Sequence, residues 1–346
     1  PEFAGELPAS VMAEEMLTEG EGQIRALVTT AGNPVLSAPN GIQVDEALDG
    51  LDFMVSIDFY INETTQHADI ILPPTSALEH DHYDLAFHRL AVHNTARFNE
   101  AVFEPAEGTK HDWEIFNELG LAIAAHKGIS AKPLPSPDQL IDLGIQRGPY
   151  SAAAGHELEL TLNKVKQHPH GLDIGRLEPS LPERLCTDDG KITLMAGYIE
   201  QDIGRLAAAE QVTAADEMLL IGRRHIRSNN SWMHNSHRLV KGNPRWQLLM
   251  HPDDLAKHDL DDQSQVRIQS RVGAVETQVL ASDEVMPGVV SLPHGWGHKR
   301  DGVNLSIAAE QEGVSCNDLT DNKLVDRASG NSALNGVPVK IFAVRA

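Results

Sequence analysis

The stretch Leu219–Asn235, LLIGRRHIRSNNSWMHN, organises the reading of this chain. Its apolar lead, Met218 to Ile221, has the length of a buried strand, and Gly222 closes it. Three arginines and a histidine follow within five residues: Arg223, Arg224, His225 and Arg227. Ser228, Asn229, Asn230 and Ser231 then lead to Trp232. A strand end that launches a cationic, hydrogen-bonding loop suits an anionic ligand with phosphates and flat polar rings. The bland alternative is a set of inter-domain salt bridges, for which an acidic chain has many carboxylates to offer.

Downstream of this loop the texture is β. Arg245 to Leu249 reads as a strand, and His251-Pro252-Asp253-Asp254 as a helix start with proline in the first turn. Gln265 to Gln269 alternates Val266 and Ile268 with polar residues, and Arg271-Val272-Gly273 turns it back into Ala274 to Leu280. Val289 to Leu292 and Val337 to Val344 complete a set of short strands that suggests a closed barrel. Two loops add candidates. In PHGWGH (293–298) Gly295 and Gly297 leave a ligand room beside Trp296, and NDLT (317–320) is small and polar. Both also fit ordinary barrel corners.

Upstream, short strands alternate with short helical segments, the signature of a parallel α/β sheet. Residues 1–23 are a surface lead-in; Ile24 to Thr30, Phe53 to Ile57 and Asp69 to Leu72 are the strands. Val44 to Leu51 and Asn62 to His67 are short helices, the latter capped by Asn62. Ligands of such sheets sit beyond the carboxyl ends of the strands, which puts Gly32, Asn33, Asp58 and Pro73 on one rim. Singly, Asn33-Pro34 reads as a turn and Asp58 as a cap. Thr109 to Lys127 is the clearest helix, capped by Thr109 with Asp112, and buries Trp113, Phe116, Leu119 and Ile123. Leu140 to Gln146 is helical and Lys191 to Met195 a short strand. His80, His82, His88 and His93 lack the spacing of a complete metal shell and read as solvated or hydrogen-bonded.

The totals narrow the classes. A net charge of -22 opposes nucleic-acid or anionic-membrane binding. Cys186 and Cys316 form no CxxC pair, so the chain's thiols cannot build a zinc ribbon or an iron–sulfur cluster, and both read as reduced. No apolar run is long enough for a membrane span.

Taken in order, AGNPVLSAPN, FMVSIDFYINETTQHADIILPPTSALEHD, IGRRHIRSNNSWMHN, LMHPDDLAKHDLDDQSQVRIQSRVGAVETQV, PGVVSLPHGWGH and NDLT resemble the C-terminal half of the molybdopterin dinucleotide oxidoreductases. That family includes formate dehydrogenases, nitrate reductases and dimethyl sulfoxide reductases. The resemblance implies a remnant of a Rossmann-like parallel-sheet domain followed by a six-stranded double-psi β-barrel. It also implies three parts: 1–163, within the dinucleotide-binding α/β domain; 164–216, a connection; and 217–346, the barrel.

The implied cofactor is molybdopterin guanine dinucleotide, two per molybdenum or tungsten. Gly32, Asn33, Asp58 and Thr64 would face one dinucleotide. Arg223, His225, Arg227, Ser228, Ser231 and Trp232 would line the barrel's cofactor loop, with His294, Gly295 and Asn317 as further pterin contacts. No catalytic residue or metal ligand is expected in this chain, because the resemblance places the metal ligand and a [4Fe-4S] cluster upstream of residue 1. The stretch HDHYDLAFHRLAVHN departs from the family's usual glycine-threonine-asparagine run. The parent is then a redox enzyme with a small-molecule substrate and an electron-transfer partner, cytoplasmic unless an export signal precedes this sequence, and this portion alone is inactive. A stand-alone barrel binding module and a non-redox hydratase of the same family are the alternatives. Only about three sheet strands are identifiable, fewer than usual. The chain is therefore expected to self-associate, or to be less ordered over 1–160 than in the barrel.

Overall fold

The computed structural model describes Glu2, residues 5–208 and residues 216–344. Three positions of the lead-in and residues 209–215 of the expected connection lie outside the described residues. Packing divides the chain into two compact units, Pro1–Ile71 with Met195–Ala346, and Leu72–Leu194.

The first unit opens with a three-stranded parallel sheet of β1 (Ala26–Thr30), β2 (Phe53–Ile57) and β3 (Ile70–Ile71), with β2 central. Strand period divides its side chains between two faces. Leu27 and Met54 pack against α1 (Met12–Leu17), α2 (Pro34–Ser37) and α3 (Gly41–Asp49), where Met16, Val44 and Leu48 are buried. The opposite face leaves Val28, Phe53 and Ile70 exposed by 48%, 45% and 45%. Helix α3 begins earlier than its apolar spacing suggests, because Asn40 adopts a left-handed conformation and its side chain accepts from the Gln43 N–H.

The rest of this unit is built round a closed six-stranded barrel: β4 (Met218–Arg223), β5 (Leu248–Met250), β6 (Gln265–Gln269), β7 (Ala274–Ala281), β8 (Val289–Pro293) and β9 (Val337–Ala343). Around the barrel the order is β6-β7-β5-β8-β4-β9, and β9 pairs back onto β6. Two pairings are parallel, β4 with β8 and β5 with β7. Exchanging the first three strands for the last three maps every pairing onto another or onto itself. This internal two-fold pairing is the double-psi barrel expected from the sequence. Alternation sends Leu220, Val266, Ile268, Val279, Val290 and Leu292 inward, each at 0% exposure.

The second unit carries helices Asp112–His126, Pro137–Gln146 and Leu162–Lys166 and two small ladders, with Ala96, Phe98, Leu160, Leu162 and Val165 as its core. Four local expectations change. The long helix starts at Asp112, where the Glu114 carboxylate accepts the His111 N–H, while Thr109 turns back onto the Ala106 carbonyl. Phe116 and Ile123 on that helix are exposed, and Ile115 is its buried residue. Lys191 to Met195 forms no strand, for it finds no pairing partner. The helical turn after Asn62 shrinks to Thr65–His67, though Asn62 still accepts from the Thr64 and Thr65 N–H groups.

Candidate functional site

Where β1 ends, Ala31 turns with φ 46, and Gly32 and Asn33 bring the chain to the start of α2. Where β4 ends, Asn229 and Asn230 both take positive φ, 41 and 57, a conformation asparagine tolerates better than most residues. These two loops, 200 residues apart, line one cavity of about 100 Å³ together with His294 and Gly295. Ala31, Gly32, Asn33 and Ser37 form one wall, and Asn230, Ser231 and Trp232 the other. A smaller space beside it, about 20 Å³, is bounded by Asn33, Asp58, Phe59, Ser231 and Trp232. Trp232 is 45% exposed and meets Phe59 edge-on at 6.4 Å.

Beneath the cavity lies a buried hydrogen-bonded array. Glu63 accepts from Asn33 Nδ2 at 2.7 Å and from His298 Nδ1 at 2.8 Å. His298 Nε2 lies 2.9 Å from His234 Nδ1, and His234 Nε2 lies 2.9 Å from Ser228 Oγ. His234 also stacks on Trp296, centroids 4.0 Å apart. Glu63, His234, His298, Ser228 and Asn33 are all buried. Burial acts to raise the Glu63 pKa, but the hydrogen bond and electrostatic attraction of His298, with the hydrogen bond from Asn33, more than offset it, so the carboxyl is held below its usual range. Burial first, and then the neighbouring His298, pushes His234 down to about 3.

The residues expected to bind cofactor separate into two groups. Gly32, Asn33, Ser231, Trp232, His294 and Gly295 line the larger cavity, and Asp58 the smaller. Burial raises the Asp58 pKa, and its carboxylate accepts from the Tyr60 N–H and the Asn62 amide. His225 and Arg227 are exposed beyond the cavity. Desolvation and the nearby Arg245, Arg227 and Arg223 lower the His225 pKa.

Others are committed to the protein itself. Arg223 turns inward and donates to the carbonyls of Ser291, Arg245 and Gln247 at 2.5, 3.0 and 2.6 Å. Burial lowers its pKa to about 10. Thr64 is fully buried, donates to Asn33 Oδ1 and accepts from the Val35 N–H. Asn317 ties the barrel to α2 by donating to the Leu36 carbonyl, and Ser228 serves His234. Gly295 is a glycine for the sake of the chain: a Cβ there would lie 2.2 Å from the Asn230 carbonyl oxygen. Gly297 likewise admits Ser315. The room foreseen beside Trp296 is therefore filled by protein.

Sequence reasoning missed Glu63, His234 and His298. One signal was available: the pattern Trp-x-His occurs at both 232–234 and 296–298, and the two meet in the fold. Among the described residues no group of three or more His, Cys, Asp or Glu side chains is placed to hold a metal ion. His80 and His111 both turn to the Thr75 hydroxyl.

Two family models match this architecture. Residues 5–122 match Molybdopterin oxidoreductase, and residues 218–338 match the Molydopterin dinucleotide binding domain. The chain belongs to the molybdopterin oxidoreductase family. A relative is the probable oxidoreductase YoaE of Bacillus subtilis, 26% identical across 93% of this chain and 45% of its own length. Another is the assimilatory nitrate reductase catalytic subunit of the same organism, 26% identical across 84% of this chain and 40% of the subunit. The acetylene hydratase from Pelobacter acetylenicus shares the fold, with a TM-score of 0.68 at 17% identity, over 97% of this chain and 46% of that one. The chain thus spans less than half the length of these curated relatives.

The lining of the larger cavity, with Asn33, Ser37, Asn230, Ser231 and His294, carries donors and acceptors of the kind a nucleotide needs. A Cβ at Gly32 would meet only the Thr30 carbonyl oxygen at 3.6 Å and Pro34 Cδ at 4.0 Å, so no protein atom demands glycine at this position of the cavity lining. No helix of the described residues is long and apolar enough to cross a membrane.

Proposed function

We propose that this chain is the cofactor-gripping portion of a molybdenum or tungsten oxidoreductase that uses two molybdopterin guanine dinucleotides, similar in kind to nitrate reductases or formate dehydrogenases. The observation that carries this reading is the convergence of the β1 and β4 loops on one cavity with polar walls. Gly32, Asn33, Ser231, Trp232 and His294 would hold the cofactor, Asp58 would meet its guanine edge, and Arg227 and His225 would meet phosphate from outside. Arg223, Thr64, Ser228 and Asn317 shape these walls without touching the ligand. The division into an α/β portion over 1–163, a connection over 164–216 and a barrel over 217–346 belongs to the same proposal.

Bound there, the pterin and its metal would supply electron transfer, while this chain binds and orients them. The substrate, the electron partner and any iron–sulfur cluster would be met by other parts of the parent, so this chain alone is expected to show no turnover.

Calorimetric titration with GDP tests the site. Gly32→Val should fill the cavity and weaken binding at least about tenfold, the loss of roughly one good contact set, with an unchanged melting temperature. Arg227→Ala should weaken it less. Arg223→Ala should instead lower the melting temperature, because three carbonyls lose their donor. Equal GDP affinity in the wild type and Gly32→Val, or no binding at all, would overturn the assignment.

A further inference from the structure

The array beneath the cavity joins five buried side chains end to end, and the cofactor reading gives most of them no task. We propose that Glu63 sets the hydrogen-bonding polarity of the cavity, fixing the direction of the bonds in the array and so leaving the Ser231 hydroxyl as a donor toward a ligand oxygen. The proposal deepens the cofactor reading and rests on it only for the identity of the ligand.

The direction follows from the inventory of donors. An ionised carboxylate only accepts, so both of its neighbours must donate. On one side His298 gives its Nδ1–H to Glu63. Where His298 holds a single proton, its Nε2 is bare and the proton of His234 must sit on Nδ1. His234 Nε2 is bare in turn and accepts from the Ser228 hydroxyl. Both imidazoles therefore carry their proton on Nδ1. The low pKa of His234 agrees with its neutrality.

On the other side, Asn33 must turn its NH2 toward Glu63, and its carbonyl takes the Thr64 hydroxyl at 2.8 Å. Its second amide proton points to Ser231 Oγ at a longer 3.4 Å. Ser231 is thereby an acceptor toward Asn33, and its own O–H takes no protein acceptor among the described residues. It is free to donate into the cavity it lines. The matching ligand atom is an acceptor, such as a phosphate or ring-carbonyl oxygen; an amino group in that place would meet a donor.

An amide at position 63 has the carboxylate's shape but only one accepting atom. In Glu63→Gln one neighbour must therefore reverse. Either Asn33 turns its amide round and withdraws its donor from Ser231, or both histidines move their protons from Nδ1 to Nε2. A purely structural filler would predict neither.

The test is NMR of the chain labelled with 15N-histidine, with the ring nitrogens assigned through His234→Gln and His298→Gln, and a GDP titration of each sample. In the wild type both rings should be protonated at Nδ1. Folded Glu63→Gln should either switch both rings to Nε2 or keep them and lose about tenfold or more in GDP affinity, the worth of one hydrogen bond. Ser228→Ala should leave both tautomers unchanged, since the carboxylate and not the serine sets the direction. A wild-type ring protonated at Nε2 would overturn the proposal. So would a folded Glu63→Gln with both tautomers and the GDP affinity retained, or a tautomer switch in Ser228→Ala. If Glu63→Gln does not fold, the wild type and Ser228→Ala decide. If the wild type binds no GDP, the cofactor reading falls, while the ring nitrogens still decide the array.

Discussion

The barrel and the three-stranded sheet handle apolar surface in opposite ways. Each barrel strand is paired on both sides, and its inward residues close on one another until Leu220, Ile268 and Leu292 have no exposure. Closure removes every sheet edge and gives one interior. The sheet has helices on one face, yet Val28, Phe53 and Ile70 of the other remain about half exposed. Parallel sheets are normally covered on both faces. The cavity is built where a closed, self-sufficient element meets a half-covered one. The loops of the first are held by its closed ladder, and those of the second by the buried array.

The largest expected effect tests the closed interior directly. Leu220→Ala should cost about 3 kcal/mol, the transfer loss plus a cavity, whereas Val28→Ala should stay within about 0.5 kcal/mol as a surface change. Urea denaturation of both variants measures this, and equal costs would break the contrast.

A smaller effect concerns the array that joins the two elements. His234 is neutral in the native state down to about 3, against an ordinary value of 6.5. Between those values the unfolded chain binds a proton that the native chain does not, so stability falls as pH drops below 6.5 and the loss continues toward 3. From pH 6.5 to 5.0 this amounts to about 2 kcal/mol. His234→Gln should remove that part of the pH dependence. Glu63 has a lowered pKa, so its own loss begins at more acid pH and leaves this window clear. Taking the difference between variant and wild type cancels groups such as Asp58 and Asp318, whose burial raises them. Parallel pH profiles for the two proteins would refute the assignment.

The smallest effect on stability sharpens the other side. Phe53→Glu should change folding free energy by less than about 0.5 kcal/mol yet reduce self-association, read by sedimentation velocity over a concentration series. If association is unchanged or absent in the wild type, the half-exposed face is not what drives it.

Strand positions were legible in the sequence because alternation and turn chemistry are local: Phe53–Ile57 and Gln265–Gln269 fall where their residues put them. The rim Gly32-Asn33 was also legible, since a strand end followed by glycine places backbone near any ligand of a parallel sheet. No strand forms at Lys191 to Met195, because apolar residues need a pairing partner, which lies outside the local pattern.

By itself, then, the sequence determined the order of strands, the two kinds of sheet and the cluster of arginines after β4. Only the tertiary structure decided where those charges point. Arg223 continues the row of Leu219 and Ile221, opposite the buried Met218 and Leu220, and its guanidinium is taken up by three backbone carbonyls. Arg227, four residues on, remains in solvent. The same holds for Glu63 and His298, which are 235 positions apart and hydrogen-bonded at 2.8 Å. A sequence shows that a side chain can donate or accept; which partner it meets depends on closing the barrel over the sheet, and no local pattern carries that information.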